Sequence, residues 1–226
     1  MNQPLISCIM PTRNRREFVP GALRCWDAQT WANKELVVID TSDEPIQDLL
    51  PRNDKRIRYV RIQPATEFNT GAVRNIACGL ANGEFIAHFD DDDWSHPHRL
   101  REQWKSLAQS GRGVSGYRSI LFADEAERRA WCFRGAEAAS SALGTSLFYA
   151  RPFWRHHPFR PLLMGEDGEF VRTAVEHNSL ISVDGFYRCI ARVHAGNTSP
   201  KFTDDEQWTE IHDAREMDRI INTLNE

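Results

Sequence analysis

Short apolar runs alternating with segments of helical periodicity constrain this chain more than any other feature. Leu5-Ile6-Ser7-Cys8-Ile9-Met10 reads as a buried strand, and Pro11 ends it. Phe18, Ala22, Leu23 and Trp26 follow at helical spacing, with Pro20 in the early turns, where proline is tolerated. Glu35-Leu36-Val37-Val38-Ile39 reads as a second strand ending at Asp40, and Ile57 to Ile62 as a third. Ala72, Val73, Ile76, Ala77 and Leu80 give an apolar helix face that Asn82-Gly83 is expected to close. Glu84 to Phe89 is a strand running into Asp90-Asp91-Asp92-Asp93, and Leu100, Trp104, Leu107 and Ala108 mark the next helix. This β-α-β-α-β order predicts an α/β, Rossmann-like fold: a mostly parallel sheet with helices on both faces.

The pattern loosens after Val114. Val114 to Phe122 and Gly144 to Tyr149 read as strands, and Ala123 to Ala142, polar and weakly patterned, as a variable insertion. Glu166 to His177 reads as a short helix with Phe170, Val171, Ala174 and Val175 inward. Leu180 to Val193 reads as extended chain with a turn at Asp184-Gly185. Trp208, Ile211, Ala214, Met217, Ile221 and Leu224 give a C-terminal helix. A length of 226 residues suits one domain, divided into residues 1–113, 114–200 and a helix in 201–226.

Composition narrows the classes. A formal net charge of −4 lacks the basic footprint of a nucleic-acid-binding domain. Five cysteines without a C-x-x-C pair fit free thiols better than a disulfide framework or a zinc site. The sequence has no apolar run of membrane-spanning length, and residues 1–9 lack the features of a signal peptide. The expected location is cytoplasmic, with peripheral membrane contact left open.

Ligands of open α/β sheets bind beyond the carboxyl ends of the strands. Three polar clusters fall at such ends: Thr12-Arg13-Asn14-Arg15, Asp40-Thr41-Ser42-Asp43, and Asp90 to Asp93. An acidic run is ordinarily a solvated loop. This one directly follows a buried strand, where crowded carboxylates repel each other and a hard divalent cation relieves them; oxygen ligands suit Mg2+ or Mn2+. A metal so placed can hold a diphosphate and neutralise its charge as it leaves.

The chain resembles the family 2 glycosyltransferases of the GT-A fold. The likeness rests on Pro11-Thr12-Arg13-Asn14-Arg15, Gln29-Thr30, Glu35 to Asp40, and Asn69-Thr70-Gly71-Ala72-Val73-Arg74-Asn75. It continues through Gly83 to Asp93, Gly165-Glu166-Asp167 and His194-Ala195-Gly196-Asn197-Thr198-Ser199. It implies inverting transfer from a nucleotide-diphosphate sugar to a hydroxyl acceptor. Pro11, Thr12 and Arg13 would line the donor pocket, Asp40 would accept from the base, with uracil expected, and Arg74 would hold the nucleotide region. Asp90 and Asp92 would form the metal-binding D-x-D pair, with His194 beside the metal or diphosphate. Asp91 would sit near the ribose or sugar, and Asp167 would act as base with Glu166 beside it. Thr41 departs from the family, which often has a second acid there; Asp43 is the alternative. Trp94, Trp131 and Trp154 are candidates for stacking on a sugar, against a default of core packing.

Two rival classes are weighed. A nucleotidyltransferase would be expected to carry a glycine-rich loop after the first strand, and no glycine occurs before Gly21. A non-catalytic sugar-nucleotide-binding protein would have little use for both the D-x-D run and Glu166-Asp167. Ala123 to Ala142 and Ala195 to Lys201 are expected to act as lids.

Overall fold

A computed structural model describes residues 3–63, 69–135, 140–199, 203 and 205–225. Four parallel strands make its first region: β1 (Ile6–Thr12), β2 (Lys34–Asp40), β3 (Ile57–Arg61) and β4 (Phe85–His88). Their spatial order is β4-β1-β2-β3. β1 is central, and a strand buried on both faces must be apolar at consecutive positions. Cys8, Met10, Leu36 and Val38 pack on one face with α1 (Val19–Asp27) and α3 (Arg99–Ser110). Ile9, Val37 and Ile39 pack on the other with α2 (Thr70–Leu80) and α5 (Glu166–Glu176). Helices thus cover both faces. Pro20 stands in the first turn of α1, and the Asn69 side chain caps α2 by accepting from Ala72 N at 2.8 Å.

The sheet is mixed, which corrects the mostly parallel expectation. Its second region centres on β6 (Val114–Asp124), flanked by β7 (Arg129–Arg134), β8 (Phe148–Ala150), β9 (Leu180–Asp184) and β10 (Cys189–Arg192). β8 lies antiparallel between β4 and β6, so the crossover pattern of the first region stops there. Among the described residues five strand pairings are parallel and five antiparallel.

Other readings of this region shift. Half of the described residues of the supposed insertion are strand: β7 pairs antiparallel with β6, burying Ala130, Trp131 and Cys132. The charged turn at residues 125–128 masks its short pattern, and residues 136–139 lie outside the described chain. The segment from Gly144 begins with a 3-10 turn, Gly144–Ser146, before β8. Trp208 belongs to an edge strand, β11 (Trp208–Glu210), paired with β7, and the C-terminal helix α6 spans Ala214–Thr223. The predicted turn at Asp184-Gly185 does separate β9 from β10. Gly83 does not cap α2 in a left-handed conformation. It is needed for close approach to β1, since a Cβ there would lie 2.6 Å from Ser7 Oγ. A short strand β5 (Trp94–Ser95) pairs with β10, and helix α4 (Arg151–His156) follows β8. All five cysteines are free and buried. Among the described residues no helix is long and apolar enough to cross a membrane.

Candidate functional site

Parallel register brings the polar clusters together. Thr12 at the end of β1 lies opposite Asp40 at the end of β2, and β1 also pairs with β4, which leads into the acid run. A cavity of about 450 Å3 opens beyond these ends. Pro11, Thr12, Arg13, Arg74, Asp90, Asp91, Asp92, Glu166 and Asp167 all line it, although Glu166 and Asp167 come from the second region. Asp40 and His194 do not line it.

The four acids of the run have different surroundings. Asp90 is half-buried, with Arg74 Nη2 at 3.6 Å. Asp91 is buried, and Arg15 Nη1 donates to its Oδ1 at 3.1 Å. Burial, then the neighbouring Asp92 charge, pushes its carboxyl up to about 7. Asp92 Oδ2 meets Arg15 Nη1 at 2.9 Å and His194 Nε2 at 3.0 Å. Burial alone would raise this carboxyl; His194 and Arg15 outweigh it and hold it below the ordinary range. Asp93 is half-buried and accepts from Thr145 Oγ1 and from Arg192 N. Burial, reinforced by Asp92 and Asp90, pushes its carboxyl well up.

On the facing wall, Arg74 is buried and ion-paired with Glu166, so one guanidinium links α2, the acid run and the first turn of α5. Burial raises the Glu166 carboxyl despite that partner. Asp167 is freer: its Oδ1 accepts from the backbone of Gly168 at 2.8 Å. It packs directly on Gly144, where a Cβ would lie 1.8 Å from Asp167 Oδ2. The carbonyl of Gly144 in turn faces His88 Nδ1 at 2.7 Å.

Asp40 is fully buried below the cavity floor. It accepts from Ser42 N at 2.8 Å, Ile46 N at 3.0 Å and Tyr59 Oη at 2.7 Å, and its neighbour Thr41 is the residue that lines the cavity. His194 accepts from Gly196 N through Nδ1 at 3.1 Å, so a neutral ring carries its proton on Nε2 and donates to Asp92. Phe18 packs on the ring at 4.4 Å. None of Trp94, Trp131 and Trp154 lines the cavity: Trp131 is buried in β7, and Trp154 donates to Asn75 Oδ1 at 2.9 Å.

Arg15 has a larger part than sequence reasoning gave it. Besides Asp91 and Asp92 it reaches Gly196 O at 2.7 Å and Thr198 Oγ1 at 3.1 Å, tying the acid run to the 194–199 loop. Residues 200 and 201 of that expected lid lie outside the described chain. Gly144 and Thr145 were missed, having no signal in a segment that read as strand. Arg99 was missed too. It is buried among neutral acceptors, and its Nη2 donates to both His88 O at 2.8 Å and Thr145 O at 3.0 Å, bracketing the acid run.

No group of three or more His, Cys, Asp or Glu side chains able to hold a metal occurs among the described residues. The oxygen donors still fit a hard cation completed by substrate. Mg2+-like ions are commonly bound through one or two carboxylates plus phosphate oxygens. Asp90, Asp91 and Thr12 all line the cavity, so oxygen-bearing side chains border it.

Comparison with known proteins gives a consistent picture. The profile described as glycosyl transferase family 2 matches residues 7–189. A provisionally named colanic acid biosynthesis glycosyl transferase, WcaA of Escherichia coli K12, is 41% identical over 105 residues, covering 44% of this chain and 36% of its own. UDP-Glc:alpha-D-GlcNAc-diphosphoundecaprenol beta-1,3-glucosyltransferase WfgD of Escherichia coli is 36% identical over 107 residues, 46% of this chain and 41% of its own. The chain therefore spans less than half the length of these relatives. Among solved structures, S. aureus TarS 1-349 in complex with UDP-GlcNAc superposes with a TM-score of 0.67 at 19% identity, covering 97% of this chain and 66% of that one. The mannosyltransferase PcManGT of Pyrobaculum calidifontis, in complex with GDP-Man and Mn2+, gives 0.68 at 17% identity, covering 87% and 59%. At these identities the structural likeness is one of fold.

Proposed function

This chain belongs to glycosyl transferase family 2 and has the GT-A fold, and from that premise we propose that it moves a sugar from a nucleotide diphosphate to a hydroxyl acceptor. One observation carries the reading: Asp167, 75 positions beyond Asp92, shares a cavity with the acid run, across Arg74. A cation-compatible wall thus faces a carboxylate with few partners, the division of labour that group transfer from a diphosphate needs. Residues 1–113 supply the donor side and residues 114–200 the base, acting as one unit.

In this mechanism Asp167 accepts the proton of the acceptor hydroxyl as its oxygen attacks the anomeric carbon. Glu166, neutralised by Arg74, fixes the start of α5 and with it the direction of Asp167. The diphosphate leaves toward Asp90, Asp92 and the arginines Arg13 and Arg15. Asp90 and Asp92 would hold Mn2+ or Mg2+ there with the diphosphate oxygens, and the ion would neutralise charge on the leaving group. His194 keeps Asp92 ionised and oriented, acting behind the ligand. Asp40 shapes the base pocket through Ser42 and Ile46, leaving Thr41 to meet the nucleoside. A single displacement with inversion needs no protein nucleophile. In support, burial pushes the thiols of Cys8 and Cys78 up to about 12, and no cysteine lines the cavity.

The WfgD likeness suggests a UDP-sugar donor and an acceptor sugar carried on a lipid diphosphate. A screen of sugar nucleotides with Mn2+, read as slow donor hydrolysis, tests the donor side without an acceptor. One UDP-sugar should turn over and stop on chelation. Hydrolysis that persists in chelator would remove the metal, and preference for GDP- or CDP-sugars would remove uracil.

A further inference from the structure

The loop joining α4 to α5 carries an apolar tip beside the cavity mouth. Leu162, Leu163 and Met164 are consecutive, and 38%, 56% and 51% of their surfaces are exposed. Single exposed hydrophobic residues are ordinary, whereas a contiguous exposed group marks a contact surface. The backbone holds this group outward. Gly71 N donates to Leu162 O at 3.1 Å, and Thr70 Oγ1 donates to Leu163 O at 2.9 Å. Gly71 is itself pressed against the loop: a Cβ there would lie 1.9 Å from Arg160 O. Upstream, Phe159 is buried, and Asn75 takes both its N–H, at 3.0 Å, and its carbonyl, at 2.7 Å. The loop is therefore pinned to α2 along its length while three apolar side chains remain in water.

The surroundings specify what covers them. Arg155 and His156 at the end of α4 are exposed, as is Arg160, whose Glu169 partner stands 3.7 Å away. An apolar tip that follows two exposed arginines, Arg155 and Arg160, along the chain matches the boundary between headgroups and acyl chains of an anionic bilayer. Leu163 also lines the cavity, and Glu166-Asp167 follow Met164 after a single glycine. Whatever the tip touches is brought to the proposed base.

We propose that Leu162-Leu163-Met164 is a membrane-interface anchor, entering an anionic lipid surface and holding the acceptor side of the cavity over it. This rests on the reading of a lipid-carried acceptor and deepens it. The acceptor's hydrocarbon stays in the bilayer, its diphosphate is drawn to Arg155 and Arg160, and its sugar hydroxyl reaches Asp167.

The test is co-sedimentation of the full chain with phosphatidylcholine vesicles, with and without phosphatidylglycerol. The unaltered protein should pellet with the mixed vesicles and release as salt rises. Leu162→Asp combined with Met164→Asp should weaken pelleting about tenfold or more. Donor hydrolysis and thermal melting should be unchanged, because both side chains are exposed. Arg155→Gln combined with Arg160→Gln should lower binding to the anionic vesicles alone. Unaltered protein that hydrolyses donor yet stays in the supernatant overturns the anchor and leaves the enzymatic reading standing. Pelleting unaffected by the Asp pair also overturns the anchor, as does a homodimer that the Asp pair dissociates without changing pelleting. Absence of donor hydrolysis counts against the enzymatic reading, whatever the vesicles do.

Discussion

The first region, through α3, and the second, from β6, each bring carboxylates to one cavity, but they hold them differently. In the acid run, Asp92 and Asp93 are fixed by partners drawn from elsewhere in the fold: Arg15, His194, Thr145 and Arg192. On α5, Asp167 has one local backbone donor and a glycine to lean on. A wall that receives a charged leaving group gains from rigid, preorganised charge. A group that must gain and lose a proton gains from being accessible. The difference separates binding from proton transfer, and mutations can break it or sharpen it.

The largest expected effect is Asp167→Asn. Transfer should fall about 10²–10⁴-fold, the usual cost of losing a positioned base, with donor affinity close to that of the unaltered chain. Asp92→Ala should lose both. Initial rates and donor titrations on the two variants measure the separation; near-normal transfer by Asp167→Asn would move the base to Glu166.

Arg74→Met attacks the link between the two walls. It leaves Glu166 buried without its cation, and breaking a buried pair costs about 3–5 kcal/mol of stability. Chemical denaturation reads the loss. Adding Glu166→Gln to it should recover part, and no recovery would mean that the pair is not what holds α5.

Gly144→Ala sharpens the comparison on the proton-transfer side. A methyl group 1.8 Å from the Asp167 carboxylate must displace it, and small misplacements of a reacting group cost on the order of 10²-fold in rate. Turnover should fall while donor affinity holds. A parallel loss of affinity would show that the turn at residues 144–146 serves the donor.

The smallest effect expected is that of Asp40→Ala. Removing the acceptor strands Ser42 N, Ile46 N and Tyr59 Oη, a loss of about 1–3 kcal/mol. Burial raises the Asp40 carboxyl, but those donors outweigh it and hold it below its ordinary value. Its contribution is therefore full at neutral pH and fades as pH falls through the carboxylate range. The melting difference between variant and unaltered chain should narrow on acidification. A variant that melts normally but binds UDP poorly would put Asp40 back in direct contact with the base.

The sequence by itself determined the parallel region and part of the cavity lining. Runs such as Leu36 to Ile39 are apolar at every position because a central strand is buried on both faces. The polar residues that end each run must then gather at one edge of the sheet, so Thr12, Asp91 and Asp92 were legible in advance, whereas Arg74, on a helix, came from the family resemblance. The second region was not. β7 hides behind charged residues and β11 reads as helix, because an antiparallel edge strand is recognised by its partner and carries little periodicity of its own. Tertiary structure alone decided the finer roles. Asp40 ends a strand at the same edge of the sheet as Asp90 to Asp93, as a ligand would, yet Tyr59, 19 residues on, claims its carboxylate. Gly144 and Arg99 matter through neighbours distant in sequence, Asp167 and the carbonyls of His88 and Thr145. A periodic pattern reports which way a side chain faces; which polar atom meets it is set by how separate segments pack.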